Sequence, residues 1–138
     1  MSEEENSEVV HRTVALYNEG DLERFMNDIH PEVVWEENHP TFGFVGLDPA
    51  YEGHDGMRRW WQVTREMWET VELDVNAISP AGDDRLVVHL TLHGTGAGSG
   101  VDVEMNFFHV MDFRDGKMLR RRIYPGRAEA LEAAGLSE

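Results

Sequence analysis

The chain of 138 residues has no cysteine, a single lysine and no long run of apolar residues. Without cysteine there are no disulfides, thiolate metal sites or cysteine nucleophiles. No apolar stretch approaches the roughly 20 residues that a membrane-spanning helix needs. The first residues are acidic, unlike a signal peptide. We therefore expect no membrane contact and a cytoplasmic location.

Basic residues are scarce compared with acidic ones. The chain has 12 Lys and Arg against 27 Asp and Glu, which gives a net charge of -15. Nucleic-acid binding depends on clustered cations. The one basic cluster, Arg120-Arg121-Arg122, would alternate between the two faces of a strand. We therefore expect no nucleic-acid partner.

The spacing of apolar residues predicts helices in the first part of the chain and strands in the second. Asp115-Gly116 lies between two stretches of aromatic and branched residues, which is the pattern of a tight β-hairpin. Segment 38–53 is rich in proline and glycine and is predicted to be a long loop, a type of segment that is often a functional lid. Helices are predicted near 7–19, 22–29, 55–68 and 128–136, and strands at 33–37, 71–79, 85–94, 101–113 and 117–124. This order indicates an α+β domain with helices on one face of the sheet.

Four short motifs follow one another along the chain: Asn18-Glu19-Gly20-Asp21, Pro31-Glu32-Val33-Val34-Trp35, Tyr51-Glu52-Gly53-His54-Asp55-Gly56 and Phe113-Arg114-Asp115-Gly116-Lys117. In this order they resemble the SnoaL-like branch of the nuclear-transport-factor-2-like superfamily, which also contains ketosteroid isomerases, polyketide cyclases and limonene epoxide hydrolases. The resemblance covers essentially the whole chain. It implies one domain over residues 1–138, with residues 1–6 as a disordered acidic tail. It also implies a cystatin-like cone, in which a curved antiparallel sheet wraps around a long helix and encloses a ligand cavity, often in a homodimer formed through the outer sheet face.

The resemblance assigns catalytic roles to Glu37 and His109. Glu37 takes the place of the proton-shuttling carboxylate of ketosteroid isomerases, and His109 takes the place of their acid that hydrogen-bonds the enolate oxygen. A carboxylate and an imidazole in an apolar cavity can abstract a proton and donate to developing negative charge. Arg121 would orient an anionic group or hold Glu37. The tyrosine of the isomerases is replaced by Thr13, so steroid isomerisation is not expected.

The predicted substrate-binding residues are Trp35, Trp61, His89, Thr91, Met105 and Phe107. Alternation on strand 85–94 places His89, Thr91 and His93 on one face and the leucines on the other. The apolar face would ordinarily point to the core, but in this superfamily it can meet a partner subunit instead. An alignment with the epoxide hydrolases favours His89 and Thr91 inward, where those enzymes have their catalytic Arg and Asp. Because this pair is replaced, epoxide hydrolysis is not expected.

No metal and no cofactor are implied by the sequence. His89 and His93 could share a strand face with His109 and Glu37 nearby, but residues four apart on a strand are about 13 Å apart. That separation is too large for both histidines to bind one ion. The glycine-rich segment 94–100 lacks the lysine and the following helix of a phosphate-binding loop.

Three functions remain open. The first is an enzyme that uses acid/base chemistry on a small apolar carbonyl compound. The second is a non-catalytic small-molecule binding protein with the same cavity, and the third is a dimeric scaffold. An outward-facing His109 would exclude the first, whereas Arg121 fully paired to Glu37 would favour binding or structure.

Overall fold

The computed structural model describes residues 2–136 as helices packed on a six-stranded sheet. The helices are α1 (Glu3–Glu19), α2 (Leu22–Met26), α3 (Gly53–Met67) and α4 (Arg127–Ala133). The strands are β1 (Ile29–Glu36), β2 (Ala50–Glu52), β3 (Trp68–Pro80), β4 (Arg85–Gly96), β5 (Asp102–Arg114) and β6 (Lys117–Tyr124). None of the helices within residues 2–136 has the length and apolar character that crossing a bilayer requires.

The sheet has the strand order β2-β1-β6-β5-β4-β3, and it is curved and unclosed. All neighbouring strands are antiparallel except β1 and β6, which run parallel. The predicted α+β class is confirmed, with one parallel pair in a sheet that was expected to be wholly antiparallel. The predicted hairpin joins β5 to β6, where Asp115 and Gly116 have φ values of 53° and 74°. Two consecutive residues with positive φ produce the twist that a tight hairpin needs.

Helix α1 begins earlier than the sequence indicated. The Ser2 hydroxyl accepts a hydrogen bond from the Glu5 amide, and the Glu5 carboxylate accepts in return from Ser2. This capping box and the three acidic residues of the first turn stabilise the helix start. Ser2 therefore caps α1, and residues 3–6 form its first turn. This differs from the disordered tail expected for residues 1–6. Met1 lies outside the described residues.

The region after α1 also differs from the expectation. Helix α2 ends at Met26 and Ile29 already belongs to β1, which was expected to begin at Val33. Ile29 is in register with Met118 of β6, so pairing with the C-terminal strand overrides the local helical pattern. A short strand, β2, lies within the expected loop and pairs with the end of β1.

The two faces of the sheet are covered by different helices. Helices α1 and α3 pack on the inner face, where the main core lies. Helix α4 covers the outer face of β4 and β5, where Ala130 and Leu131 pack on Val87, Phe108 and Val110. The rest of the outer face of β4 carries polar residues. The apolar part of the outer face is thus covered within the chain.

The side chains of β4 point in the directions opposite to those that the alignment with the epoxide hydrolases favoured. Val88, Leu90 and Leu92 point to the core, whereas the side chains of His89 and Thr91 hydrogen-bond to Asn106 on the outer face. The prediction that His89 and Thr91 point inward is wrong. The physical reason is that the apolar row has a large core to join on the inner side, while α4 leaves this part of the outer face to solvent.

Candidate functional site

A cavity lies between helices α1 and α3 and the inner face of the sheet. Its volume is about 80 Å³, which is room for about six water molecules at 10–15 Å³ each. Most of its wall is apolar. The wall includes Val10, Phe25, Val88, Leu90, Met111 and Ile123. The charged residues and His109 lie where the end of β1 is beside β6 and β5, and hydroxyl groups of α1 and α3 also reach the wall.

Glu37 follows directly after β1 and points into the cavity. Successive side chains alternate between faces on a strand, so Val33, Trp35 and Glu37 share the inner face. The Glu37 amide donates to the Pro49 carbonyl oxygen at 2.8 Å, which ties the two ends of loop 38–48 together. The position of the carboxylate is therefore fixed by its backbone.

The two oxygens of the Glu37 carboxylate differ in their environment. Oε1 accepts a hydrogen bond from the Trp60 indole at 3.1 Å and a second one from Arg121. Oε2 has no hydrogen bond to any of residues 2–136, and it is not sealed from solvent. One oxygen thus holds the carboxylate in place, and the other remains open to a molecule in the cavity.

Arg121 on β6 is the buried cation of the site, with 2% of its side chain exposed. One terminal nitrogen donates to Glu37 and the other donates to the Glu36 carbonyl oxygen at 2.6 Å. The guanidinium lies over the Trp35 ring, 4.4 Å from the ring centroid. Arg121 therefore makes one hydrogen bond from each terminal nitrogen to the protein and holds Glu37 in place.

His109 on β5 faces the cavity between aromatic rings. Its ring centroid lies 5.3 Å from that of Phe107 and 6.3 Å from that of Trp35. Within residues 2–136 its imidazole has no hydrogen bond. Burial lowers the pKa of His109 well below its ordinary value, and the nearby Arg121 cation lowers it further. The imidazole is therefore neutral at pH 7 and can donate one N–H.

The mouth of the cavity is formed by the loop after Glu37 and the start of β3. Phe44 and Leu47 from the loop line the cavity, and the Phe44 ring packs edge-on against Trp68 at 5.7 Å. Trp68 lies on Gly94, where an added Cβ would come within 2.7 Å of the indole ring. The expected lid thus has apolar side chains over the opening. His39, near the start of this loop, pairs with Glu129 of α4.

The structure brings five of the nine predicted site residues to the cavity wall. These are Trp35, Glu37, Phe107, His109 and Arg121. Trp61 does not line it, because its ring packs behind the wall against Tyr17 and Phe25. Met105 shares the face of Phe107 but packs at the edge of the core, and His89 and Thr91 lie on the outer face. The prediction that these four line the cavity is wrong.

The sequence interpretation did not assign Trp60, Tyr17 or Thr64 to the site. Trp60 lies in the predicted helix near 55–68, and the signal for its role was that a buried indole N–H needs an acceptor. Tyr17 and Thr64 also line the cavity, with the Tyr17 hydroxyl 3.0 Å from that of Thr64. Burial raises the pKa of Tyr17, so this hydroxyl stays protonated. In the described part of the chain, no group of three or more His, Asp or Glu side chains is arranged to hold a metal ion.

Several solved structures share this fold. TerC, co-crystallised with polyporic acid, has a TM-score of 0.77 and 23% identity over 95% of this chain and 98% of its own. A nuclear-transport-factor-2-like protein of unknown function from Burkholderia pseudomallei has a TM-score of 0.77 and 22% identity, covering 96% and 97%. SalBIII, an epoxide hydrolase/cyclase-like enzyme of pyran ring formation in salinomycin, has a TM-score of 0.75 and 21% identity, covering 91% and 93%. At these identities the likeness shows the fold alone.

A search of curated proteins gave no match. The sequence model of the SnoaL-like domain matches residues 10–121, which include the second part of α1, helices α2 and α3, strands β1 to β5 and the first part of β6. The matched range contains Glu37, His109 and Arg121. The chain therefore belongs to the SnoaL-like domain family.

Proposed function

We propose that this protein is a cavity enzyme that performs acid/base chemistry, of isomerase, cyclase or lyase type, on a small apolar carbonyl compound. The observation that carries the proposal is the pairing of an open carboxylate oxygen, Glu37 Oε2, with the neutral and unpartnered imidazole of His109 on one cavity wall. Arg121 acts as a positioning residue for Glu37. Two solved structures of the same fold support this class of reaction, namely the epoxide hydrolase/cyclase-like enzyme SalBIII and a putative polyketide cyclase from Sinorhizobium meliloti.

The chemistry starts with Glu37 Oε2 taking a proton from the carbon next to the substrate carbonyl. The C–H electron pair then forms the enolate, whose oxygen accepts a hydrogen bond from His109 N–H. Where the enolate is conjugated with a carbon–carbon double bond, Glu37 can return the proton to the far end of the conjugated system, which moves the double bond. Alternatively the enolate carbon attacks a second carbonyl of the same molecule, whose π electrons move to its oxygen, and this alkoxide takes the proton from Glu37. The first outcome is an isomerisation and the second is a ring closure.

The walls determine which substrates fit. Trp35 and Phe107 flank His109 with flat rings, so a planar ketone can lie between them and place its oxygen at the imidazole. The volume of about 80 Å³ suits a small molecule. A steroid skeleton would require the Phe44 and Trp68 rings to move apart.

The test is proton exchange on a simple ketone. Acetophenone in D2O should exchange its methyl hydrogens faster with the protein than without it, as followed by proton NMR. Glu37→Gln should abolish the catalysed exchange, and His109→Gln should lower it about 10²-fold, the effect of losing one oxyanion donor. Glu36→Gln is the matched control, because its side chain lies on the outer face. Catalysed exchange that survives Glu37→Gln would contradict the proposal.

A non-catalytic binding protein is the second candidate, and the Arg121–Glu37 ion pair favours it. Buried pairs of a carboxylate and a guanidinium also occur with a purely structural role. In this case acetophenone would bind in the cavity with no catalysed exchange, and Glu37→Gln would change affinity alone.

The homodimer remains a proposal. The outer face of β4 offers polar residues, and its apolar part is already covered by α4. A dimer through this face would therefore have a polar interface. Analytical ultracentrifugation tests it, with a single species of the monomer mass of 15.8 kDa as the contradicting result. The cytoplasmic location likewise stays a prediction.

A further inference from the structure

We propose that the cavity selects electrically neutral ketones and amides and rejects carboxylates of the same shape, because the charge of its only cation is already cancelled by Glu37. The inference rests on the proposed function, since it names the class of molecule that the same cavity takes. It also decides between the two roles considered for Arg121, which are to orient an anionic group of the substrate or to hold Glu37. If Arg121 oriented an anionic substrate, the cavity would prefer carboxylates to neutral ketones and amides.

The charges along the cavity wall sum to zero. Among the described residues that line it, only Glu37 and Arg121 carry a formal charge at neutral pH. The two other titratable groups are neutral, because burial lowers the pKa of His109 and raises the pKa of Tyr17. A ligand therefore meets a wall that is polar at one place but has no net charge.

The charge of Arg121 is already paired before an anion arrives. Each terminal nitrogen donates one hydrogen bond within the protein, one to Glu37 and one to the Glu36 carbonyl. The Nε is buried without a partner, and the flat face of the guanidinium lies on Trp35. A carboxylate could reach only the second N–H of each terminal nitrogen, and it would do so beside the negative charge of Glu37.

The open polar atom at this end of the cavity is itself an acceptor. Glu37 Oε2 carries negative charge and has no partner within residues 2–136, so a ligand that approaches it must present a hydrogen. A second carboxylate there would meet like charge in a poorly solvated space, where Coulomb energies are larger than in water. The net charge of -15 on the whole chain adds to this repulsion.

Three planar molecules of nearly the same shape test the selectivity. Acetophenone and benzamide are neutral, and benzoate is their anionic counterpart. Isothermal titration calorimetry at pH 7.5 should give dissociation constants for the two neutral ligands at least about tenfold below that of benzoate, which corresponds to about 1.4 kcal/mol. Equal or tighter binding of benzoate by the wild-type protein would overturn the inference, as would a lack of binding by all three.

The variant Glu37→Gln isolates the cause. It keeps the size of the side chain, removes its charge and leaves Arg121 uncompensated, so benzoate affinity should rise at least about tenfold and the preference should disappear or reverse. Glu36→Gln is the matched control and should keep the wild-type preference. An unchanged preference in a folded Glu37→Gln protein would overturn the inference. If that variant fails to fold by circular dichroism, the wild-type comparison of benzamide with benzoate still decides.

The outcome separates this inference from the proposed function. Neutral selectivity without catalysed exchange of acetophenone would support the inference and reject the enzyme. Catalysed exchange together with tight benzoate binding would support the enzyme and reject neutral selectivity.

Discussion

Two neighbouring ion pairs connect the region of β1 to β6 and lie on opposite faces of the sheet. Glu37 and Arg121 point inward, and their side chains are 4% and 2% exposed. Glu36 and Arg120 precede them in the sequence and point outward, with side chains 19% and 44% exposed. The residue types are the same, and only the strand alternation separates them. The difference shows that a shift of one residue turns a partly solvated ion pair into a buried one.

The two pairs should contribute to stability in different ways. An exposed pair gains little, because water and salt screen it. A buried pair has lost much of its hydration, and removal of one partner leaves an uncompensated charge in the core. The variants below use this contrast, from the largest expected effect to the smallest.

The largest effect should come from Arg121→Met. The change leaves Glu37 buried without its cation, and we expect the free energy of unfolding to fall by about 3–5 kcal/mol. Urea denaturation measures it. Because a well-packed apolar pair often replaces a buried ion pair without loss, the double variant Glu37→Leu/Arg121→Met should regain most of this stability.

The same two variants also separate stability from function. The double variant should remain folded but should not exchange acetophenone protons. Because its cavity wall still has no net charge, it should keep the preference for benzamide over benzoate. A loss of less than about 1 kcal/mol in Arg121→Met would contradict the assignment of this pair as buried and strongly coupled.

The next effect should come from Trp60→Phe. The variant keeps most of the ring area but removes the indole donor to Glu37 Oε1, a hydrogen bond to a charged group worth about 1.5–3 kcal/mol. The measurement is the urea midpoint together with acetophenone exchange. Trp61→Phe is the control, since this neighbour packs on Tyr17 and Phe25 without lining the cavity. Equal effects of the two variants on exchange would contradict the role of Trp60.

The third effect concerns the pH dependence of stability through His109. Its pKa is lowered in the folded protein, so below the ordinary histidine pKa of about 6.5 the unfolded chain binds a proton that the folded protein does not. The free energy of unfolding should therefore be unaffected by His109 above about pH 6.5 and should fall as the pH decreases from there. The contribution of this one group has a slope of about 1.4 kcal/mol per pH unit. His109→Gln should remove that slope.

The measurement is the urea midpoint at a series of pH values from neutral to moderately acidic. The exposed His11 provides the control, because His11→Gln should leave the profile of the wild-type protein unchanged. Parallel profiles for wild type and His109→Gln would contradict the buried neutral state of this imidazole.

The common face of His109 and Arg121 could be predicted because it depends on strand alternation and hairpin register. The Asp115-Gly116 turn sets the pairing of β5 with β6, in which His109 lies opposite Ile123 and Arg121 lies opposite Met111, and all four residues point inward. Glu37 was placed beside them by the family resemblance alone, because the parallel pairing of β1 with β6 is not visible in the local sequence. The functional roles of the three residues remain predictions.

The orientation of β4 could not be obtained in this way. Alternation divides His89 and Thr91 from the leucines, but it does not say which set faces the core. The answer depends on α4, which comes 30 residues or more later in the sequence and covers the outer face of Val87. The choice between Trp60 and Trp61 has a similar origin, because the angle at which α3 meets the sheet decides which indole reaches Glu37.

The smallest effect should come from Arg120→Gln on the outer face. Its carboxylate partner, Glu36, stays partly solvated, so the free energy of unfolding should change by less than about 1 kcal/mol. Added salt gives the sharper comparison. At 1 M salt, where the Debye length is about 3 Å, the difference between Arg120→Gln and wild type should disappear, whereas the loss in Arg121→Met should persist because salt does not reach the buried pair. If salt removed both differences equally, the two pairs would share one solvated environment, and the contrast between the faces of the sheet would not hold.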